Sequence, residues 1–254
     1  MNNRNFTKLL EKHFSHLSDE KKALHIKINT DISRFDVWTD QVNQIKTIKN
    51  STILSSGCGT GGDIYYFLQK KAKKVYGIET SPGLAKLAKN RLSVFKPTSY
   101  KIDIYDGNIL PYSDNKFDII FSMHVLEHTV KPYLYLDEII RVTKRSGIIY
   151  LELPNKIYPK EQHTHQMIIH WFPLKLRKIL INLKLYKPGY DLNSFLTPYQ
   201  LYYHVKKNTK VQILESFLHS YDGDNIKFTF FHFSFKFLYK LFKKTTYKIV
   251  IKKL

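Results

Sequence analysis

The chain has one cysteine, Cys58, among its 254 residues. No internal disulfide can form, and the cytoplasm is the expected compartment. No apolar run approaches the roughly 18 residues that span a bilayer. The opening stretch MNNRNFTKLLEKHF has no apolar core of the secretory kind. No internal repeat or low-complexity linker interrupts the chain. Acidic residues are scarce: 21 Asp and Glu stand against 41 Lys and Arg, a net charge of +20. That surplus favours an anionic partner, whether nucleic acid, phosphorylated or nucleotide-linked metabolites, or an acidic membrane surface. Lys, Asn, Ile, Tyr and Phe are all abundant, so compositional bias accounts for much of the surplus, and charge alone identifies no partner. The hydrophobic share of 43% is enough for a real core and excludes a disordered chain.

What is present alternates. Residues 6–14 and 18–28 read as helices, with Ser18 capping the second. STILSS is a short strand, and 63–73 is a helix with Ile64, Phe67 and Leu68 on its apolar face. KVYGIE (74–79) is a second strand, and 82–92 a helix. SYKIDIYD (99–106) is a third strand. FDIIFS (117–122) is a fourth, almost continuously apolar, as a strand covered on both faces should be. A helix over 131–143 and a fifth strand over 146–154 follow. Strands alternating with helices predict a doubly wound α/β sheet, mostly parallel and Rossmann-like, in a single domain. In such a sheet ligands sit beyond the carboxyl ends of the strands, where strand order reverses.

ILSSGCGTGGD (53–63) is the first such end. Gly57, Gly59 and Gly62 satisfy the G-x-G-x-x-G of dinucleotide binders. Gly57, Gly59 and Gly61 equally satisfy the G-x-G-x-G of S-adenosylmethionine binders. Glu79 ends the second strand, where a carboxylate can take both hydroxyls of a ribose, and it serves either ligand. A glycine turn with no ligand would have no need of that acid.

The third and fourth strand ends separate the two readings. YDGNILPYSDNKFDIIFSMHVLEH places Asp106 where a carboxylate can accept from an exocyclic purine amine. Gly57-Cys58-Gly59-Thr60-Gly61, Glu79, Asp106 through Tyr112, Phe117-Asp118-Ile119-Ile120 and Leu126-Glu127-His128 form an ordered series. The series resembles the class I S-adenosylmethionine-dependent methyltransferases over about residues 50–155. The resemblance implies a seven-stranded sheet ending in an antiparallel pair, with helical cap insertions. It implies a cofactor-binding core over 50–155 between N-terminal helices (1–49), an acceptor-side lid (156–196) and C-terminal helices and strands (197–254). It also implies roles. Gly57, Gly59 and Gly61 would pass beneath the methionine moiety, with Cys58 and Thr80 in the same loops. Glu79 would bind the ribose, and Asp106 with the Gly107 backbone the purine. Ser122 and Met123 would form the cofactor's edge near the sulfonium. Ser55 departs from the family, which usually carries an acid there to help hold the cofactor's amino group. Either binding is weaker, or Asp63 or a water substitutes.

Histidines are the candidate bases. His124 and His128 follow the fourth strand; His163, His165 and His170 lie in KEQHTHQMIIHWFP after the fifth. This second segment resembles, more loosely, methyltransferases of surface-polysaccharide gene clusters. That makes His163 the first choice for base, Glu161 its orienting group, and His165, His170 and Trp171 part of the acceptor wall. His124, Glu127 and His128, at i, i+3 and i+4, could face one cation. They lack a clear fourth ligand, so no metal is expected.

The expected activity is therefore methyl transfer to oxygen on a small or glycan-related acceptor. An RNA acceptor is disfavoured, because no Asn/Asp-Pro-Pro-aromatic motif follows the fourth strand and no RNA-binding appendage is present. A module that keeps the fold without catalysis is the rival from another class, and a dinucleotide dehydrogenase ranks last. LKLRKILINLKL (174–185) is a basic amphipathic lid segment. Thr197-Pro198 opens a helix, and 210–216 and 246–252 are late strands. FTFFHFSFKFLYKLFKK (228–244) is expected to be helical, packed against the sheet or docked on an anionic membrane.

Overall fold

The computed structural model describes residues 4–95, 99–161, 166–187, 196–220, 223–227 and 244–254. It divides into two compact units, Met1–Phe121 with Val142–Lys144, and Ser122–Arg141 with Arg145–Leu254.

The first unit opens with helices α1 (Arg4–His13), α2 (Asp19–Thr30) and α3 (Asp36–Asn43). Then come β1 (Thr52–Ser56), α4 (Gly62–Gln69), β2 (Lys74–Glu79), α5 (Pro82–Phe95), β3 (Tyr100–Ile104) and β4 (Phe117–Met123). Strand order is β3-β2-β1-β4, with β1–β2 and β2–β3 parallel. The chain adds two strands on one side of β1 and then places β4 on the other, so the switch point falls beside β1. Ile53 and Leu54 of β1 and Phe117, Ile119 and Ile120 of β4 are fully buried. Asp118 fixes the start of β1 by accepting the Thr52 N–H at 2.9 Å, while Lys144 Nζ pairs with both of its oxygens at 3.0 Å. That is the physical content of the Phe-Asp motif. Tyr112 packs edge-on against Tyr76 and Phe117 and donates to Asp103 at 3.0 Å.

The second unit contains α6 (Pro132–Val142), β5 (Thr143–Pro154), α7 (Leu174–Asn182), α8 (Pro198–Lys207), β6 (Val211–Ser220), β7 (Gly223–Lys227) and β8 (Thr246–Lys253). Strand order here is β5-β8-β6-β7, every neighbouring pair antiparallel. The parallel strands come first and the antiparallel strands last, as expected. Among the described residues the short β7 adds one strand at the edge to the seven expected.

Thr197 caps α8 with a complete capping box, its side chain accepting from Gln200 N–H and Gln200 returning to Thr197 N–H. Ser18 precedes α2, but its side chain makes no capping bond. The helix expected over 63–73 stops at Gln69, because Lys71 adopts a left-handed φ of 62°. α3 was not anticipated; it packs through Trp38, Thr39 and Val42. The helix expected over 228–244 lies, except for Lys244, outside the described residues.

Candidate active site

The loop after β1 answers the question its glycines raise. Gly57, Gly59 and Gly61 all take left-handed φ, 68°, 51° and 72°. Gly62 does not; it starts α4 in ordinary helical geometry. The conformational demand therefore follows the G-x-G-x-G spacing. Gly62 answers to packing instead, since a Cβ there would lie 2.4 Å from Arg91 Nη1. A Cβ on Gly61 would lie 2.9 Å from the Cβ of Ala88 on α5. At Gly59 a Cβ would meet nothing within 4 Å, so this one turn of the loop faces open space.

Glu79 closes β2 beside that loop and is buried. Its Oε2 accepts the Gly59 N–H at 2.9 Å, and its Oε1 accepts the Thr80 and Ser81 N–H groups at 2.9 Å each. The carboxylate is thus fixed by backbone donors from two loops, and Oε2, which accepts one bond where Oε1 accepts two, retains capacity for a further donor such as a ribose hydroxyl. Tyr105 follows β3 and bonds back to Glu79 through its N–H at 3.2 Å. Burial, with the charges of Glu79 and Asp106, pushes its phenol up to about 12. Sequence reasoning passed over Tyr105, although it directly precedes Asp106. Asp106 itself is exposed, and its carboxylate folds into a turn, accepting from Asn108 N–H and Nδ2 at 3.0 Å each. Those bonds hold its pKa below the usual range. Gly107 takes φ 86° with the Thr80 methyl beside it, 3.6 Å from where its Cβ would be.

At position 55, where the resemblance predicts an acid, the serine meets an acid from α4. Ser55 Oγ donates to Asp63 Oδ2, and Asp63 Oδ1 accepts the Ile64 N–H at 2.8 Å. Burial pushes Asp63 up to about 6, opposed by those two bonds and by the charges of Arg34 and Arg91. Cys58 is buried, and burial, then Asp63 and Glu79, raise its thiol well above the ordinary range. It stays protonated and fills a small-residue slot. Thr60 Oγ1 donates to Asn29 Oδ1 at 2.7 Å, and Arg91 Nη2 donates to Asn29 O, so the end of α2 is tied to the glycine loop.

In the second unit, the segment after β4 carries a buried charged cluster. His124, at φ 55°, donates its N–H to Glu152 O at 2.8 Å. Its Nδ1 lies 3.5 Å from Glu127 Oε1 and its Nε2 3.5 Å from Glu152 Oε1. Burial disfavours its charged form, but Glu127 and Glu152 on either side prevail and hold it up to about 10. Lys248 Nζ lies 3.7 Å from Glu152 Oε2. His128 Nε2 is 4.0 Å from Glu127 Oε1. Among the described residues no group of three or more His, Cys, Asp or Glu is placed to hold a metal ion. Ser122 hydrogen-bonds Tyr135 of α6 at 2.7 Å and is buried, so its hydroxyl is already committed, and Met123 is half-buried.

Beyond β5, Glu161 and His170 are buried and Trp171 is exposed. His170 Nε2 is 2.9 Å from both Lys156 O and Tyr158 O, and Trp171 Nε1 donates to Lys156 O at 2.8 Å. These two expected acceptor residues therefore brace one short turn. His163 and His165 lie outside the described residues.

The strand order alone would admit many α/β nucleotide binders; three left-handed glycines at that spacing, ahead of a fixed acid, narrow it to the class I methyltransferase fold. Residues 54–151 match the methyltransferase domain family. It is similar to the chloroplastic tocopherol O-methyltransferase of Arabidopsis thaliana, 31% identical over 53% of this chain and 38% of that protein. It is similar to the tRNA U34 carboxymethyltransferase of Hahella chejuensis, 28% identical over 50% of this chain and 39% of that one. The chain thus spans about two fifths of the length of these two relatives. In fold it resembles a SAM-dependent methyltransferase from Aquifex aeolicus, with a TM-score of 0.55 and 13% identity, covering 88% of this chain and 99% of that one.

Proposed function

We propose that the chain methylates an oxygen on a small, glycan-related acceptor: a sugar hydroxyl, a nucleotide-linked precursor, or a phosphoryl-type oxygen of a surface polysaccharide. The observation that carries methyl transfer is the cradle in the first unit, where the open turn at Gly59 adjoins the fixed Glu79 carboxylate. Bound S-adenosylmethionine supplies a methyl already activated on a sulfonium. The protein's task is chiefly alignment, worth up to about 7–11 kcal/mol in favourable cases. Gly57, Cys58, Gly59 and Gly61 line the methionine side of that cradle. Glu79 and Thr80 take the ribose, and Asp106, Gly107 and Tyr105 the purine. Asp63, through Ser55, supplies the negative charge that the amino group of the cofactor needs.

A hydroxyl acceptor benefits from a base, worth roughly 10²–10⁴-fold. His163 is that base in this reading, oriented by Glu161, with His165, His170 and Trp171 on the acceptor side. His124, clamped between two carboxylates, is charged at neutral pH and acts as a fixed cation; His128 is the second candidate base. Support for a donor-bearing acceptor comes from Glu127, whose buried Oε2 accepts no hydrogen bond from any described residue. A screen of nucleotide-linked sugars with labelled methyl donor tests the reading. Label on oxygen supports it. Transfer to RNA, with steeply salt-dependent binding, would replace it. That second reading is favoured by the net charge of +20 and the similarity to a tRNA-modifying enzyme.

No helix among the described residues is long and apolar enough to cross a membrane. A peripheral contact with an anionic membrane surface belongs to the glycan reading, because lipid-linked glycans are built there.

A further inference from the structure

α7 is built inside out. Its only buried residue is Arg177, 6% exposed, while Leu174, Leu176 and Ile179 are 41%, 39% and 53% exposed. A helix packed for stability buries its aliphatic stripe and leaves arginine in water. The guanidinium has five N–H donors. Its Nε and Nη1 are buried and donate to no described residue. Burial depresses the Arg177 pKa, and no described carboxylate compensates. Its charged neighbour is another cation, the half-buried Lys156, whose ammonium is disfavoured first by burial and then by Arg177.

The two cations are held together by the local fold. The Lys156 carbonyl anchors His170 and Trp171 at 2.9 and 2.8 Å, in the turn that leads into α7. Arg177 then closes the first turn of α7, its N–H donating to Pro173 O at 3.0 Å. A buried cation with unmade hydrogen bonds and a like charge beside it is costly unless something anionic joins it.

We propose that Arg177 and Lys156 form a subsite for an oxyanion of the phosphate type carried by the acceptor. The fork of Arg177 matches two oxygens of such a group, and Lys156 adds a point charge. Calling its occupant the acceptor rests on the methyltransferase reading; the oxyanion site itself does not.

Thermal unfolding of the full chain in inorganic phosphate, against sodium chloride at equal ionic strength, tests this. Saturating phosphate should raise the melting midpoint by about 2–4 °C or more. Arg177→Met should lose that rise while melting, without phosphate, no lower than the parent chain. Arg177→Lys should keep part of it. Should Arg177→Met not fold, Lys156→Met, at a half-exposed position, should fold and show a weakened rise. Flotation with phosphatidylglycerol and phosphatidylcholine vesicles identifies the source. Arg177-dependent binding to the former alone, with no response to free phosphate, assigns the oxyanion to a lipid headgroup. Titration with S-adenosylhomocysteine in the same samples keeps the two readings apart. If Arg177-dependent phosphate binding persists in a chain that ignores S-adenosylhomocysteine, the oxyanion site stands and the methyltransferase reading falls. An Arg177→Met chain that melts lower yet responds to phosphate like the parent overturns the proposal, as does a parent chain that responds to neither phosphate nor vesicles.

Discussion

Ser55 donates its hydroxyl hydrogen to the carboxylate of Asp63, across the turn that joins β1 to α4. Both side chains are buried, and the pair puts an acid behind the glycine loop although no acid stands two residues before its first glycine. Asp63 titrates near 6 instead of 3.8, so between those values the folded state holds a proton that the unfolded chain releases. Stability contributed by this group is present below about 3.8 and lost as pH rises through about 6. Asp63→Asn, which cannot ionise, should flatten that loss, gaining on the parent chain by roughly 1–3 kcal/mol between pH 4 and 7 in urea unfolding. The same variant should bind S-adenosylhomocysteine at least about tenfold more weakly. A parallel pH profile for the two chains would contradict the assignment.

Two glycines of one loop should fail differently. Gly61→Ala puts a methyl 2.9 Å from Ala88 Cβ at φ 72°, and should destabilise the fold by about 2–4 kcal/mol. Gly59→Ala meets nothing and should cost only about 1–2 kcal/mol of backbone strain, but its methyl occupies the open turn and should cut cofactor affinity at least about tenfold. Melting curves paired with calorimetry separate the effects; equal loss of affinity at equal stability cost would remove the distinction.

His124 offers a second pH test with the opposite chemistry. Its folded pKa of about 10 exceeds the ordinary 6.5. The stability it contributes is full below about 6.5 and disappears as pH climbs through about 10. His124→Asn should therefore be clearly destabilised at pH 6.5 and much less so at pH 10, by denaturant midpoint. A cost independent of pH would show that His124 is neutral in the folded chain.

Turnover tests the base. His163→Ala should reduce methyl transfer to the true acceptor at least about tenfold while leaving S-adenosylhomocysteine affinity nearly intact. Unchanged turnover removes His163 from the mechanism and leaves His128 as the candidate.

The parts of this molecule legible in sequence are those set by short-range pattern. β2 occupies the expected 74–79, and β4 extends the expected 117–122 by one residue, because unbroken apolar runs between turns fix a buried strand. The glycine loop and Glu79 were legible as a spacing, and the three left-handed φ values decide between the two spacings. α3 was not, since its few apolar residues make no sustained period. Asp63 was legible as one of two possible substitutes for the acid absent at position 55, but its bond to Ser55, like Tyr105 beside Glu79, depends on where the chain folds back. Arg177 inverts the rule that guides the reading: helical periodicity assigns arginine to the wet face, and only packing reveals it inside.

Glu79 is the center of the account, and its removal is the most direct test. Calorimetric titration of the parent chain with S-adenosylhomocysteine should give one site per chain, and Glu79→Ala should weaken that site about a hundredfold or abolish it. A parent chain that takes up no S-adenosylhomocysteine, or one that binds NAD in its place, would contradict it.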